Sequence, residues 1–183
     1  MSFIRYVGLR SGDDAEPISV VKFGGSVLEP QSLETVIRVV KELYRRNNSR
    51  LVIVVSAFKG VTDSLLSTLP RGASPEDVDS VLPLGEVLSA RIVASTLKAV
   101  GLPAVYVDPF SRDWPIITDE RFGDANPILE ECVKASKGIL RMVEEGKIPV
   151  VAGYAGKTLD GRLTTLGRGG SDTTAVVLAR CLG

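Results

Sequence analysis

Histidine is absent from the sequence, and that absence alone removes a large share of hydrolytic and metal chemistry. Ser-His-Asp and Cys-His nucleophile systems need an imidazole base, and many zinc sites need its nitrogen. Cysteine is scarce: Cys132 and Cys181 stand alone, outside any CxxC pair and inside apolar helical patterns, as expected of reduced structural thiols. An excess of one charge is also lacking, since Lys+Arg and Asp+Glu both number 22. With no block of like charge, neither nucleic acid nor an anionic membrane is an expected partner. No apolar run approaches the roughly 18 residues of a membrane span, and the N-terminus shows no signal-peptide core. A cytoplasmic protein is expected. The reaction must then rest on Lys, Arg, carboxylates, hydroxyls and backbone groups, a set that suffices for phosphoryl transfer, where positioning and charge neutralisation dominate.

The 183 residues, 44% hydrophobic and 24% charged, suit one globular domain able to bury about 70% of its unfolded surface. The stretch with most chemical content is Thr164 to Ala175. Its three glycines surround Arg168, and Ser171-Asp172-Thr173-Thr174 then opens an apolar segment. Glycine permits positive φ and close backbone approach, and Ser or Asp favours a helix start whose N–H groups attract anions. Arg168 adds a donor fork for a carboxylate or phosphate. An anion site at a loop-to-helix junction is the expectation.

Along the chain, Phe3 to Leu9 can form a short strand and Ser11 to Pro17 reads as a polar connector. Ile18 to Phe23 is a β-branched run closed by Gly24-Gly25-Ser26, with Lys22 near the strand's C-terminal end, where open parallel sheets keep their ligand crevices. Lys22 reads equally as a surface lysine beside a turn. Gln31 to Asn47 has the period of an amphipathic helix, and Leu51 to Val55 is a second apolar strand, giving a parallel β-α-β unit. Ser56, Ala57 and Thr62 follow that strand as turn residues or ligand contacts. A helical stretch over 76–100, broken at Pro83, carries Glu86 in apolar company, where a carboxylate needs a partner or favours its neutral form. An exposed helix glutamate is the plainer reading. Leu102 to Val107 is a third strand, 108–126 an irregular excursion, 126–146 a helix with the stripe Ile128, Leu129, Val133, Ile139, Leu140 and Val143, and 148–152 another strand. Asp160-Gly161 marks a hairpin between 157–159 and 162–164. Alternating elements predict a three-layer α/β/α sandwich on a mainly parallel sheet.

Five motifs in order, Lys22-Phe23-Gly24-Gly25-Ser26, Val55-Ser56-Ala57 with Gly60-Val61-Thr62-Asp63, Gly85-Glu86-Val87-Leu88-Ser89-Ala90, Pro149 to Tyr154, and Thr164 to Ala175, resemble the aspartate kinases of the amino-acid kinase family. The resemblance runs from about Val20 to the last residue. It implies ATP-dependent phosphorylation of the side-chain carboxylate of L-aspartate, on the route to lysine, threonine and methionine, with ATP and Mg²⁺ as cofactors. It places Lys22, Gly24, Gly25 and Ser26 at the transferring phosphate. Ser56, Ala57, Thr62, Glu86, Tyr154, Arg168, Gly170 and Ser171 would form the aspartate pocket, with Asp172 beside the reacting groups holding Lys22. Tyr154 stands where the family often has Phe. Residues 1–17 would be an N-terminal extension and 18–183 the amino-acid-binding portion of the kinase domain.

The same resemblance implies further strands, an acidic nucleotide motif and regulatory ACT domains after Gly183, so an incomplete fold is expected here. Association as a homo-oligomer, or with a chain supplying the rest, follows. A non-catalytic amino-acid-binding module, or a kinase of glutamate, acetylglutamate or a nucleoside monophosphate, stays open beside the aspartate reading.

Overall fold

The computed structural model describes residues 3–7 and 17–183, so the connector expected over 11–17 lies, except for Pro17, outside the described residues. Strands β1 (Phe3–Val7), β2 (Ser19–Phe23), β3 (Leu51–Val55), β4 (Ala104–Val107) and β5 (Ile148–Ala152) form one sheet in the order β1-β2-β3-β5-β4. β1 runs antiparallel to β2, and the remaining neighbours are parallel. Buried on both faces, the central strands read as continuous apolar runs: every residue of β3 and β5 is buried.

Helices cover the sheet: α1 (Leu33–Arg46), α2 (Val61–Thr68), α3 (Pro75–Val81), α4 (Leu84–Ala99), α5 (Leu129–Ala135), α6 (Lys137–Glu144) and α7 (Gly170–Leu182). The strands at 51–55 and 148–152 lie where the periodicity predicts them. α2 has no counterpart among the elements expected from periodicity; it is eight residues long and buries none of them fully, so its apolar pattern is short. Pro83 divides α3 from α4 as expected. Ser74 and Asp77 form a capping box at the start of α3, and Pro75 follows the cap.

The single helix expected over 126–146 is two, separated at Ser136. Its proposed stripe fails at the first of them, where Leu129 and Val133 are exposed and Cys132 is buried. The buried face runs through Cys132, Ser136, Ile139 and Val143, at four- and three-residue spacing across the break. Gly138 sits at the junction against Asp113, whose side chain occupies the space a Cβ would need.

The excursion at 108–126 is irregular, and isolated bridges tie Ile117 to Lys157 and Thr118 to Pro127. Its Trp114 is buried and donates its indole N–H to the Ile116 carbonyl at 2.9 Å. A small hairpin, β6 (Ala155–Lys157) and β7 (Leu163–Thr165), turns at Asp160-Gly161 as the sequence signals. Both cysteines are free thiols, and burial raises their pKa values, Cys132 to about 11, which keeps them unreactive. The stretch Pro75–Ala99 is long and apolar enough to pass for a membrane span, yet 56% of its apolar window is buried inside the fold, as in a core helix.

Candidate functional site

Three strand-end segments and three helix N-termini converge on one cavity of about 330 Å³. Lys22 comes from the end of β2, Ser56 and Ala57 from the turn after β3, Thr62 from the start of α2, and Glu86 from the first turn of α4. Tyr154 follows β5, and Gly167 to Asp172 form the loop into α7. The C-terminal ends of parallel strands gather these groups because each strand delivers its next loop to the same edge.

Lys22 is no surface lysine. Its side chain is 15% exposed and its Nζ lies 3.1 Å from each oxygen of Asp172, 150 positions away in the chain. Asp172 stands in the first turn of α7, where the helix dipole favours its charge. The expected capping role for the Ser-Asp pair does not hold. Gly169 is the N-cap, left-handed at φ 78°, and no side chain caps the helix. With the turn made by glycine, Ser171 and Asp172 are freed to face the cavity.

Glu86 is buried, at 4% exposure, so the exposed-helix alternative is set aside. The Ala57 N–H donates to its Oε1 at 3.1 Å, while Oε2 is enclosed without a hydrogen-bond partner among the described residues. Burial pushes its pKa up to about 7, and the Ala57 N–H holds back part of that rise. An enclosed carboxylate with one oxygen to spare is suited to a cation brought in by a ligand. α4 can approach the Ser56-Ala57 turn this closely because Gly85 has no Cβ; one there would lie 3.0 Å from that of Ala57.

Arg168, which lines the same cavity, is exposed and stands between Gly167 and Gly169, both left-handed. Tyr154 is itself left-handed, at φ 62°, an uncommon state for a residue with a side chain. Its ring rests where a Cβ on Gly170 would be, at 2.7 Å. Burial raises the Tyr154 pKa; the Thr165 hydroxyl lowers it, and Asp79 and Glu86 add to the rise.

All ten residues expected at the reacting groups or the aspartate pocket, Lys22, Ser56, Ala57, Thr62, Glu86, Tyr154, Arg168, Gly170, Ser171 and Asp172, line this one cavity. Gly24, Gly25 and Ser26 do not line it but adjoin it: a Cβ on Gly24 would sit 3.7 Å from Lys22 Nζ, and one on Gly25 would collide with the Ala57 carbonyl at 2.7 Å. Among the described residues no three acidic or sulfur side chains converge as a metal site, so no step is assigned to a protein-held magnesium.

Asp79, a fully buried carboxylate, is absent from the candidates drawn from the sequence. Its Oδ2 accepts from the Gly123 and Thr165 N–H groups at 2.8 and 2.9 Å, and its Oδ1 from the Thr165 hydroxyl at 2.7 Å. Its spacing from Glu86, seven residues or two helical turns along the same stretch, is the signal that could have found it.

A sequence model described as the amino acid kinase family matches residues 17–183. The aspartokinases of Thermus thermophilus and Geobacillus stearothermophilus are each 38% identical over 170 residues, 90% of this chain. The chain spans 40% of the length of these relatives. Escherichia coli aspartokinase III, solved with lysine and aspartate, shares the fold at a TM-score of 0.77 and 23% identity, over 88% of this chain and 46% of that one. An aspartate kinase from Synechocystis matches at 0.66 and 31% identity, over 86% of this chain and 25% of its own.

Proposed function

The chain belongs to the amino acid kinase family, and on that premise we propose that it carries the amino-acid side of an aspartate kinase site. The observation that carries this reading is one cavity lined by a buried, half-partnered Glu86, an exposed Arg168 and the Lys22–Asp172 pair. Free aspartate brings an ammonium and two carboxylates, so its pocket needs both signs of charge. Glu86 Oε2 takes the ammonium and Arg168 clamps a carboxylate with its donor fork. The names of the relatives support aspartate over other amino acids.

With an ordinary pKa of about 3.9, the side-chain carboxylate is already a nucleophile at neutral pH. One of its oxygens forms the new bond to the γ-phosphorus of ATP; the bond from that phosphorus to the bridging oxygen breaks, and its electron pair leaves on ADP. No proton moves, so a site without histidine is complete in its acid–base chemistry. Lys22 neutralises charge growing on the phosphoryl oxygens, and Asp172 holds the ammonium in place. The Gly24-Gly25-Ser26 turn lies on the phosphate side. A cytoplasmic, oligomeric enzyme, with residues 18–183 as its amino-acid-binding portion, belongs to the same proposal.

Trapping with hydroxylamine tests it. Incubating the chain with ATP, Mg²⁺ and L-aspartate is expected to give aspartyl hydroxamate when the rest of the nucleotide site is present. Calorimetric binding of aspartate without hydroxamate would restrict the chain to amino-acid binding. Absence of any aspartate binding would overturn the reading.

A further inference from the structure

Asp79 is outside the cavity, fully buried, and unused by the chemistry above. A buried carboxylate costs free energy unless its lone pairs are filled, and here three donors fill them: two backbone N–H groups and one hydroxyl. The donors and the acceptor belong to segments that lead to different residues of the pocket. Asp79 lies in α3, whose continuation past Pro83 delivers Glu86. Thr165 closes β7, three residues before Arg168.

Thr165 is held on every polar atom. Asp79 takes its N–H and its hydroxyl, and its carbonyl accepts from the Ala125 N–H at 2.8 Å. The next residue, Leu166, donates its N–H to the Tyr154 carbonyl at 2.9 Å, which ties the same point to the aromatic wall. Gly123, the remaining donor, precedes Asp124, and Asp124 packs against Gly167, the left-handed residue that launches Arg168. Each contact on Asp79 therefore restrains the start of the Arg168 loop relative to the helix that bears Glu86.

We propose that Asp79, acting through Thr165, is a positioning residue that sets the span between the carboxylate clamp at Arg168 and the ammonium site at Glu86, and so sets how tightly the pocket grips the α-carbon groups of its amino acid. The proposal rests on the reading of the cavity as an amino-acid pocket. The ammonium and the carboxylate on the α-carbon are equally far apart in aspartate and in glutamate, and the side-chain carboxylate is left for phosphoryl transfer, so loosening the restraint should weaken both amino acids alike. Displacements of about 1 Å in such a site are enough for large losses.

The test is calorimetric titration of L-aspartate and L-glutamate into the full chain, using Asp79→Asn, Thr165→Val and Thr165→Ser. Asp79→Asn presents an amide where an acceptor is required. Thr165→Val removes the hydroxyl, which donates to Asp79 and also bonds the Tyr154 side chain, and Thr165→Ser restores it. Val40→Ala, a buried change in α1 away from the cavity, serves as a control for general loosening. Expected are a loss of at least about tenfold in aspartate affinity for Thr165→Val, an unchanged preference over glutamate, and recovery to within about twofold in Thr165→Ser. Unchanged affinity in Thr165→Val overturns the positioning role even if Asp79→Asn fails to fold. Equal losses in Val40→Ala, or no recovery with serine, overturn it as well. If the unmodified chain binds neither amino acid, the pocket reading fails and the positioning role falls with it; if it binds aspartate and Thr165→Val binds equally well, only the positioning role falls.

Discussion

Replacing Glu86 with glutamine should make the protein more stable at pH 8 while removing its capacity to hold an ammonium group. The carboxyl is raised from 4.5 to about 7 by burial, so the folded state binds its proton more tightly than the unfolded chain does. Stability falls with rising pH wherever the folded state holds more protons. For this group that window runs from about pH 4.5 to about 7, and the loss is complete above it. A tenfold difference in proton affinity between the two states corresponds to about 1.36 kcal/mol, which gives a ceiling of about 3 kcal/mol. Glutamine keeps an oxygen for the Ala57 N–H and carries no charge, so it escapes this penalty. The other ionisable groups cancel when the two proteins are compared at the same pH.

Urea unfolding followed through Trp114, the one tryptophan and a buried one, supplies the measurement. The two proteins should unfold at nearly the same urea concentration at pH 4. Their midpoints should separate progressively up to pH 8, where a slope of about 2 kcal/mol per molar urea makes the gap about 1.5 M. Aspartate should stabilise the unmodified protein and leave Glu86→Gln unaffected. A gap that does not change with pH would refute the account of Glu86 as a carboxylate held in the charged form against its burial.

The remaining expectations concern single groups. Aspartate should bind more tightly as pH rises through about 7, because the empty site must ionise Glu86 before pairing it with an ammonium; calorimetry in buffers of different ionisation enthalpy would detect the released proton. Arg168→Lys should raise the KM for aspartate about tenfold or more, since a lysine cannot reproduce the two-pronged contact; an unchanged KM in an active enzyme would remove the clamp role. Lys22→Met should lower kcat by about a hundredfold or more with aspartate binding largely kept, which steady-state kinetics and calorimetry together resolve. Gly153→Ala would place a methyl 2.7 Å from the Ser171 side chain and 2.9 Å from the Val55 carbonyl, a cost of about 1–3 kcal/mol in thermal or urea unfolding.

The sequence alone determined the strands that carry the site. Leu51 to Val55 and Ile148 to Ala152 are buried on both faces, so unbroken apolar runs fit there, and such runs are visible without coordinates. The glycines around Arg168 and the motif order from Lys22 to Asp172 were legible for a similar reason, since a backbone that must turn left-handed or approach a neighbour closely restricts residue type. What lay beyond the sequence were relations between distant segments. α2 is only eight residues long and buries none of them fully, and the buried face of α5 passes through the small thiol Cys132 and on to Ser136, leaving Val133 exposed. Ser171 and Asp172 suited a helix cap by type, but the fold brought Lys22 to within 3.1 Å of Asp172 and left the capping position to Gly169. Glu86 and Asp79 are ordinary helix carboxylates in the sequence; only packing buried both, leaving one with an oxygen free for a ligand and filling the other with three donors. Local preference is written residue by residue, whereas burial and charge pairing depend on which segments the sheet brings together.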